Sequence, residues 1–302
     1  MGQYLFNGFT YVDRLNDEIL SSYPDSLRFD AKPSYESLLF RLILGQVYVN
    51  HENSDISFEQ KINYSKLSEE FTSTNQEDPV IDWIDNEFGL LDLHRYFLVN
   101  RMNENMYKEL IVEFTWFFLN KSKENHVAAF LNLYRALEYI SYSFPLSFFS
   151  KSNRYYASYD TFKGFFTDKD QGQLKFFQEF LKAYFEKSTL AMFTKLDTYA
   201  GSSLFDKNKY KIIKSLCSEF PFRDNGSVIS IAYENMFDFM INLRNRYFHF
   251  QSDRVGNISN YNFDGELFFA GLNDKFVNWI SAVYLEILTH GVYKLNLIPE
   301  VS

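Results

Sequence analysis

A chain of 302 residues with 46% hydrophobic and 20% aromatic side chains can build a large core, and its length predicts one large domain or two unequal ones. Its single cysteine, Cys217, excludes an intramolecular disulfide framework and a zinc knuckle built from cysteine pairs. The net charge of −9 weighs against a polyanionic partner, but residues 1–102 hold 17 acidic and 8 basic side chains while residues 103–302 hold 22 of each, leaving the larger part open to RNA.

The opening segment, MGQYLFNGFTYVDRLND, has no basic stretch leading into an apolar one, so no signal peptide is expected. No uncharged apolar run is long enough to span a bilayer, and LIVEFTWFFL is short and carries Glu113. A soluble, cytoplasmic protein is the expectation.

Helical spacing then dominates. PSYESLLFRLILGQVYVN (33–50) begins with a proline suited to a first helical turn and repeats apolar residues at three- and four-residue steps. A polar stretch from Asn50 to Asp78 includes EFTSTNQEDP, which reads as an exposed connection, after which PVIDWIDNEFGLLDLHRYFLVNR (79–101) resumes the pattern. ENMYKELIVEFTWFFLN (104–120) and ENHVAAFLNLYRALEYISYSF (124–144) predict two strong helices whose short link makes them an antiparallel hairpin. The aromatic and basic segment 145–172 reads as irregular, with further helices within 173–200 and 206–219. PFRDNGS (221–227) is a turn cluster leading into the helix of NMFDFMINLRNRYFHFQSD (235–253), and 273–294 reads as a closing helix. The best strand signals, GQVYV and ELFFAG, are both short. The expected fold is therefore all-α, with an acidic, mainly helical region over 1–102 and a second helical domain over 103–302.

No phosphate-binding glycine loop, dinucleotide fingerprint or nucleophile elbow occurs. His51, His94, His126 and His290 have no Cys or His at ligand spacing, so structural roles are expected for them, with no metal and no cofactor. Glu59-Gln60-Lys61 superficially matches part of a metal-dependent nuclease site, but Asp55 stands too close to serve as its aspartate.

One constellation has a coherent chemistry: Arg244-Asn245-x-x-x-His249, at the end of a strongly apolar helix. A histidine with a near-neutral pKa can accept the proton of an RNA 2′-OH or protonate the departing 5′-oxygen. A guanidinium can hold the phosphate and stabilise charge on its oxygens, and an asparagine amide can orient either group. The competing reading is structural, since arginine and histidine both sit well at the carbonyl end of a helix. Five residues on an ideal helix turn through about 140°, so convergence of Arg244 and His249 needs a distorted helix end or a second copy of the chain.

FMINLRNRYFHF (239–250) resembles the signature helix of HEPN domains, and VAAFLNLYRALEYIS (127–141) is similar to that family's second helix, with Glu138 as its acidic residue. The resemblance covers roughly 103–295, interrupted by an insert at about 145–227. It implies a small helical bundle, an antiparallel hairpin plus motif helix and closing helix, forming a homodimer whose two motifs face each other. It further implies metal-independent endoribonuclease activity in toxin–antitoxin, abortive-infection or other antiviral defence systems, with an antitoxin or defence protein as partner. Arg244 would then clamp the phosphate, Asn245 orient, His249 act as acid and base, and Glu138 assist. Gln251 stands where some family toxins carry a tyrosine modified by their partner, and other members have lost catalysis and only bind proteins. Lys151, Arg154, Tyr155 and Tyr156, in KSNRYYASYDTFKGFF, are secondary candidate RNA contacts because aromatic rings stack on unpaired bases beside cations that meet phosphates, although a core or packing role better explains aromatics this dense along the whole chain.

Overall fold

The computed structural model describes residues 2–45, 47–65, 79–84, 88–150, 177–178, 180–182, 185, 187–198, 203–248, 257–258 and 264–296. The protein is mixed α/β, not all-α. It contains a four-stranded antiparallel sheet, β1 (Gln3–Phe6), β2 (Phe9–Asp13), β3 (Val47–His51) and β4 (Ser57–Gln60), in the order β1-β2-β3-β4. A second, three-stranded antiparallel sheet comprises β5 (Phe193–Asp197), β6 (Phe222–Asp224) and β7 (Val228–Ala232), in the order β5-β7-β6.

The first sheet starts from a tight hairpin. Phe6 pairs with Phe9, and the two residues between them, Asn7 and Gly8, have φ of 52° and 76°. Positive φ at both central positions is what a type I′ hairpin turn needs, and Asn-Gly meets it with little strain. Along β2 the burial alternates, with Phe9, Tyr11 and Asp13 inward. The region expected to be mainly helical therefore carries a sheet, and α1 (Asp17–Ser22) and α2 (Tyr35–Leu44) are interposed between β2 and β3. Pro33 lies just outside α2, whose N-cap is Ser34, the hydroxyl accepting from the Ser37 N–H at 3.2 Å. The helix stops at Gly45 (φ 88°), where a Cβ would meet the Lys61 and Ile62 backbone at 3.0–3.2 Å, and the chain turns into β3. The VYV of GQVYV thus lies in a strand, where helical spacing had been expected through Asn50.

The rest of the frame is helical. Two helices, α3 (Pro79–Trp83) and α4 (Leu90–Val99), occupy the predicted segment 79–101. The hairpin is α5 (Glu104–Ser122) with α6 (His126–Ser150), and α6 continues through Pro145 into the segment expected to be irregular. After α7 (Lys187–Leu190) and β5 come α8 (Leu204–Leu216), the β6–β7 hairpin, α9 (Tyr233–Phe248) and α10 (Gly265–Asn296). ELFFAG is not a strand; it forms the first turns of α10. The turn cluster at 221–227 holds β6, and Gly226 (φ 88°) reverses the chain while the Asn225 side chain accepts from the Ser227 and Val228 N–H groups at 3.1 and 2.7 Å.

Ten consecutive residues of α10, 276–285, are buried, so the helix is covered on all sides. One core runs from Phe9 and Tyr11 through α2, α5 and α6 to α9 and α10, joining residues 1–102 to the rest. Phe9 packs edge-on to Trp116, and Tyr11 and Thr115 share a buried hydrogen bond of 2.7 Å. Among the described residues, no helix is long and apolar enough to cross a membrane.

Two buried polar features have testable consequences. Arg41 on α2 is fully buried, donating to Asp13 Oδ1 and to the Leu27 carbonyl, both at 2.6 Å, between the rings of Tyr23 and Phe29. Burial raises the Asp13 pKa and Arg41 is the main influence opposing it. Arg41→Met should lower unfolding free energy by about 3–5 kcal/mol, because it strands a buried carboxylate, and adding Asp13→Asn should recover part of that loss in urea titrations. Cys217, at the end of α8, has its thiol pushed up to about 12 by burial, and burial also raises the phenols of Tyr64, Tyr96, Tyr107 and Tyr284. Raised folded-state values favour the neutral forms, so the stability linked to these groups is present below the unfolded pKa values and lost as pH rises through the folded ones. Stability should begin to fall above about pH 8.5, with the thiol, and fall more steeply above about pH 10, with the phenols. Thiol reagents should label Cys217 only in step with unfolding; rapid labelling of the folded protein would refute its burial.

Candidate functional site

The motif helix α9 follows β7 directly, and the Tyr233 N–H at its start donates to the Met192 carbonyl at 2.8 Å. Met236, Phe237, Phe239, Met240 and Leu243 are buried, which fixes the rotation of the helix. Arg244, the next residue, is half-buried, and its guanidinium lies over the ring of Tyr134 on α6, 5.0 Å from the centroid. The same side chain donates through Nη1 to Asn245 Oδ1 at 3.1 Å, so the adjacent pair forms one polar unit.

Tyr134 connects that unit to Glu138. The two residues are four apart on α6, hence one turn apart on one face. Burial raises the Tyr134 phenol pKa, Arg244 opposes the shift, and Glu138 adds to it. Glu138 is exposed, so Arg244, Asn245, Tyr134 and Glu138 form a patch running from the half-buried interhelical contact to the surface. An aromatic floor supports it: Phe130, one turn before Tyr134, stacks on Phe248 with centroids 6.1 Å apart and planes 4° apart, and packs on Phe269 and Phe276 of α10. The chain returns beside the end of α9, where the Ile258 N–H donates to the Arg246 carbonyl at 2.9 Å.

Of the candidates read from sequence, Arg244, Asn245 and Glu138 are thus brought into one neighbourhood. His249, Lys151, Arg154, Tyr155 and Tyr156 lie outside the described residues. Tyr134 is a member of the patch that sequence reasoning missed; its one signal was its place four residues before Glu138 on a predicted helix. Chemically, the patch offers an oriented guanidinium and amide to an anion, beside a carboxylate. Among the described residues no group of three or more His, Cys, Asp or Glu side chains is placed to hold a metal ion. His51 is held by Ser54 Oγ at 3.0 Å and by the edge of Phe9, a structural role. Glu59 is engaged by Arg14 and Lys61 on the sheet, so the Glu-Gln-Lys triplet is an ion-paired strand end. Comparison of the chain with family models, curated proteins and solved structures found no match.

The aromatic floor makes a direct prediction. Phe130→Ala should lower unfolding free energy by about 3–5 kcal/mol, the usual cost of removing a fully buried ring. Amide exchange at residues 244–248 should accelerate with it, and unchanged exchange there would show that the ring does not hold the end of α9.

Proposed function

We propose that the protein is a metal-independent endoribonuclease of the HEPN type, active as a homodimer in the cytoplasm and serving antiviral defence or as a regulated toxin. The observation that carries this reading is the seating of Arg244 on Tyr134, one turn from Glu138, with Asn245 bonded to the arginine. Two sequence segments that resemble the family's two signature helices thereby meet at one place. The α5–α6 hairpin, the motif helix and the closing helix follow the family's order, now inside a mixed α/β chain.

In this reading Arg244 holds the scissile phosphate and balances charge on its oxygens as the new bond forms. A 2′-OH gives its proton to His249 and attacks the neighbouring phosphorus; the 2′-oxygen–phosphorus bond forms as the phosphorus–5′-oxygen bond breaks. His249 protonates the departing 5′-oxygen, leaving a 2′,3′-cyclic phosphate and a 5′-OH. Asn245 keeps the guanidinium in register. The homodimer is supported by an exposed stripe on α6 that passes through Glu138, where Leu131, Tyr142 and Leu146 are 39%, 41% and 49% accessible.

Purified protein incubated with mixed single-stranded RNA in EDTA should release fragments with cyclic phosphate ends. Arg244→Ala should slow cleavage at least about 100-fold, and His249→Ala by about 10²–10⁴-fold. Wild type that cuts nothing, or two variants that cut as well as wild type, would leave the second reading, a non-catalytic module that binds a partner protein through its helical surface.

A further inference from the structure

Tyrosine hydroxyls buried in this protein find partners. Those of Tyr11, Tyr64, Tyr96, Tyr233 and Tyr284 bond in turn to Thr115, Asp274, the Glu36 carboxylate, Asn278 and the Glu36 carbonyl. Such pairing is expected, because a phenol oxygen taken from water without a partner costs free energy. Tyr134 departs from the pattern. Only 4% of its surface is exposed, yet among the described residues its hydroxyl makes no hydrogen bond. Its oxygen is not one of the partnerless polar atoms sealed from solvent, so the tip of the ring reaches the surface.

The place where it emerges is set by two helices. On α6, Leu133, Ala136 and Leu137 are buried and fix the rotation of the helix. Phe130, one turn earlier, packs on the Tyr134 ring with centroids 6.3 Å apart and planes at 41°. From α9 the Arg244 guanidinium covers the ring, its carbon 5.0 Å from the centroid. Arg244 and Glu138 push the phenol pKa in opposite directions, so its oxygen lies within the field of both. Burial is the largest influence and raises that pKa, which keeps the proton on the phenol at neutral pH and makes the group a donor.

We propose that the Tyr134 hydroxyl is a second anion donor of the site: it donates a hydrogen bond to an oxygen of the phosphate that Arg244 holds, so that the cation on the ring and the O–H at its edge clamp one phosphodiester. That the phosphodiester belongs to RNA rests on the nuclease reading. The clamp itself rests on the buried, partnerless phenol and the guanidinium seated on it. The ligand then supplies the partner that the fold withholds from this one phenol. The proton stays on Tyr134 throughout, so its part is to stabilise charge on the phosphate oxygens, separate from the proton transfers of His249.

The test uses the full chain with its tyrosines carrying ¹³C at Cζ, the ring carbon that bears the hydroxyl. The NMR signal missing from Tyr134→Phe identifies Tyr134. A 2′-O-methyl RNA oligonucleotide, which has no nucleophile and cannot be cut, should shift that signal in the wild type and not in Arg244→Ala; inorganic phosphate should shift it too, at higher concentration. Tyr134→Phe keeps the ring under the guanidinium and should melt as the wild type does, because no protein partner is lost. It should bind the oligonucleotide about tenfold or more weakly and cut ordinary RNA about 100-fold more slowly at saturation. A Tyr134 signal unmoved by either probe would overturn the proposal. So would a Phe variant that binds as well as wild type, or one that melts early, which would put the partner of the hydroxyl inside the fold. The nuclease reading fails separately: a Tyr134 signal that responds to RNA left whole by the wild type in EDTA supports the clamp and removes the cleavage.

Discussion

Asn278, buried near the middle of α10, ties the two halves of the chain together. Its Oδ1 accepts from the Tyr233 hydroxyl at 3.0 Å, and its Nδ2 donates to the Tyr64 carbonyl at 3.0 Å. Tyr233 begins the motif helix and Tyr64 follows the first sheet, so one side-chain amide sets the position of both against α10. Satisfying both ends of that amide matters because each buried group left without a partner costs about 1–3 kcal/mol. The neighbouring residue repeats the arrangement: Trp279 Nε1 donates to the Tyr233 carbonyl at 3.0 Å. One turn earlier, Asp274 accepts from the Tyr64 hydroxyl at 2.5 Å and pairs with Lys121 of α5. Two turns later, the Tyr284 hydroxyl donates to the Glu36 carbonyl at 3.3 Å. The angle at which α9 leaves its first turn, and so the place where Arg244 meets α6, follows from this row of contacts.

The acidic excess of residues 1–102 looks different once these contacts are counted. Asp13 is consumed by Arg41 in the core. Glu36 is buried among phenols and an amide, accepting from Tyr96 at 2.8 Å and from Asn100, and its charge adds to burial in raising the pKa of Tyr96, Tyr107 and Tyr284. Glu59 and Asp30 are engaged by Arg14 and Arg28. Several of the 17 carboxylates therefore act within the fold rather than as a repulsive surface field.

The long helices were legible because apolar residues recur at three- and four-residue steps over several turns, as in α5, α9 and α10. The strands were hidden by their length: three to five residues give at most three inward positions, too few to stand out among 34 phenylalanines and 22 tyrosines. Two signals nevertheless pointed to the hairpins, Asn7-Gly8 and Asn225-Gly226, each between runs rich in aromatic or β-branched residues. ELFFAG misled because four apolar residues in a row fit a buried helix as well as a strand, and only the long continuation to Asn296 decides between them. The Arg244-Asn245 pair was readable as polar residues ending an apolar stripe. Tyr134 was not, since what makes it part of the patch is an interhelical contact with Arg244, 110 positions away in the chain.

That contact also bears on the structural alternative for Arg244. A cation recruited to the carbonyl end of a helix acts on the last turn of its own helix. At the end of α9 the Arg246 carbonyl already accepts from the Ile258 N–H, so the backbone of the returning chain supplies part of the cap. The Arg244 guanidinium is directed across to α6, over the Tyr134 ring, with Asn245 steadying it. Its position is thus set by two helices rather than by the polarity of one. A half-buried guanidinium that rests on an aromatic face and donates to a neighbouring amide is held in a set orientation. An arginine held in this way is oriented before an anion arrives, which is the property phosphate binding requires and helix capping does not.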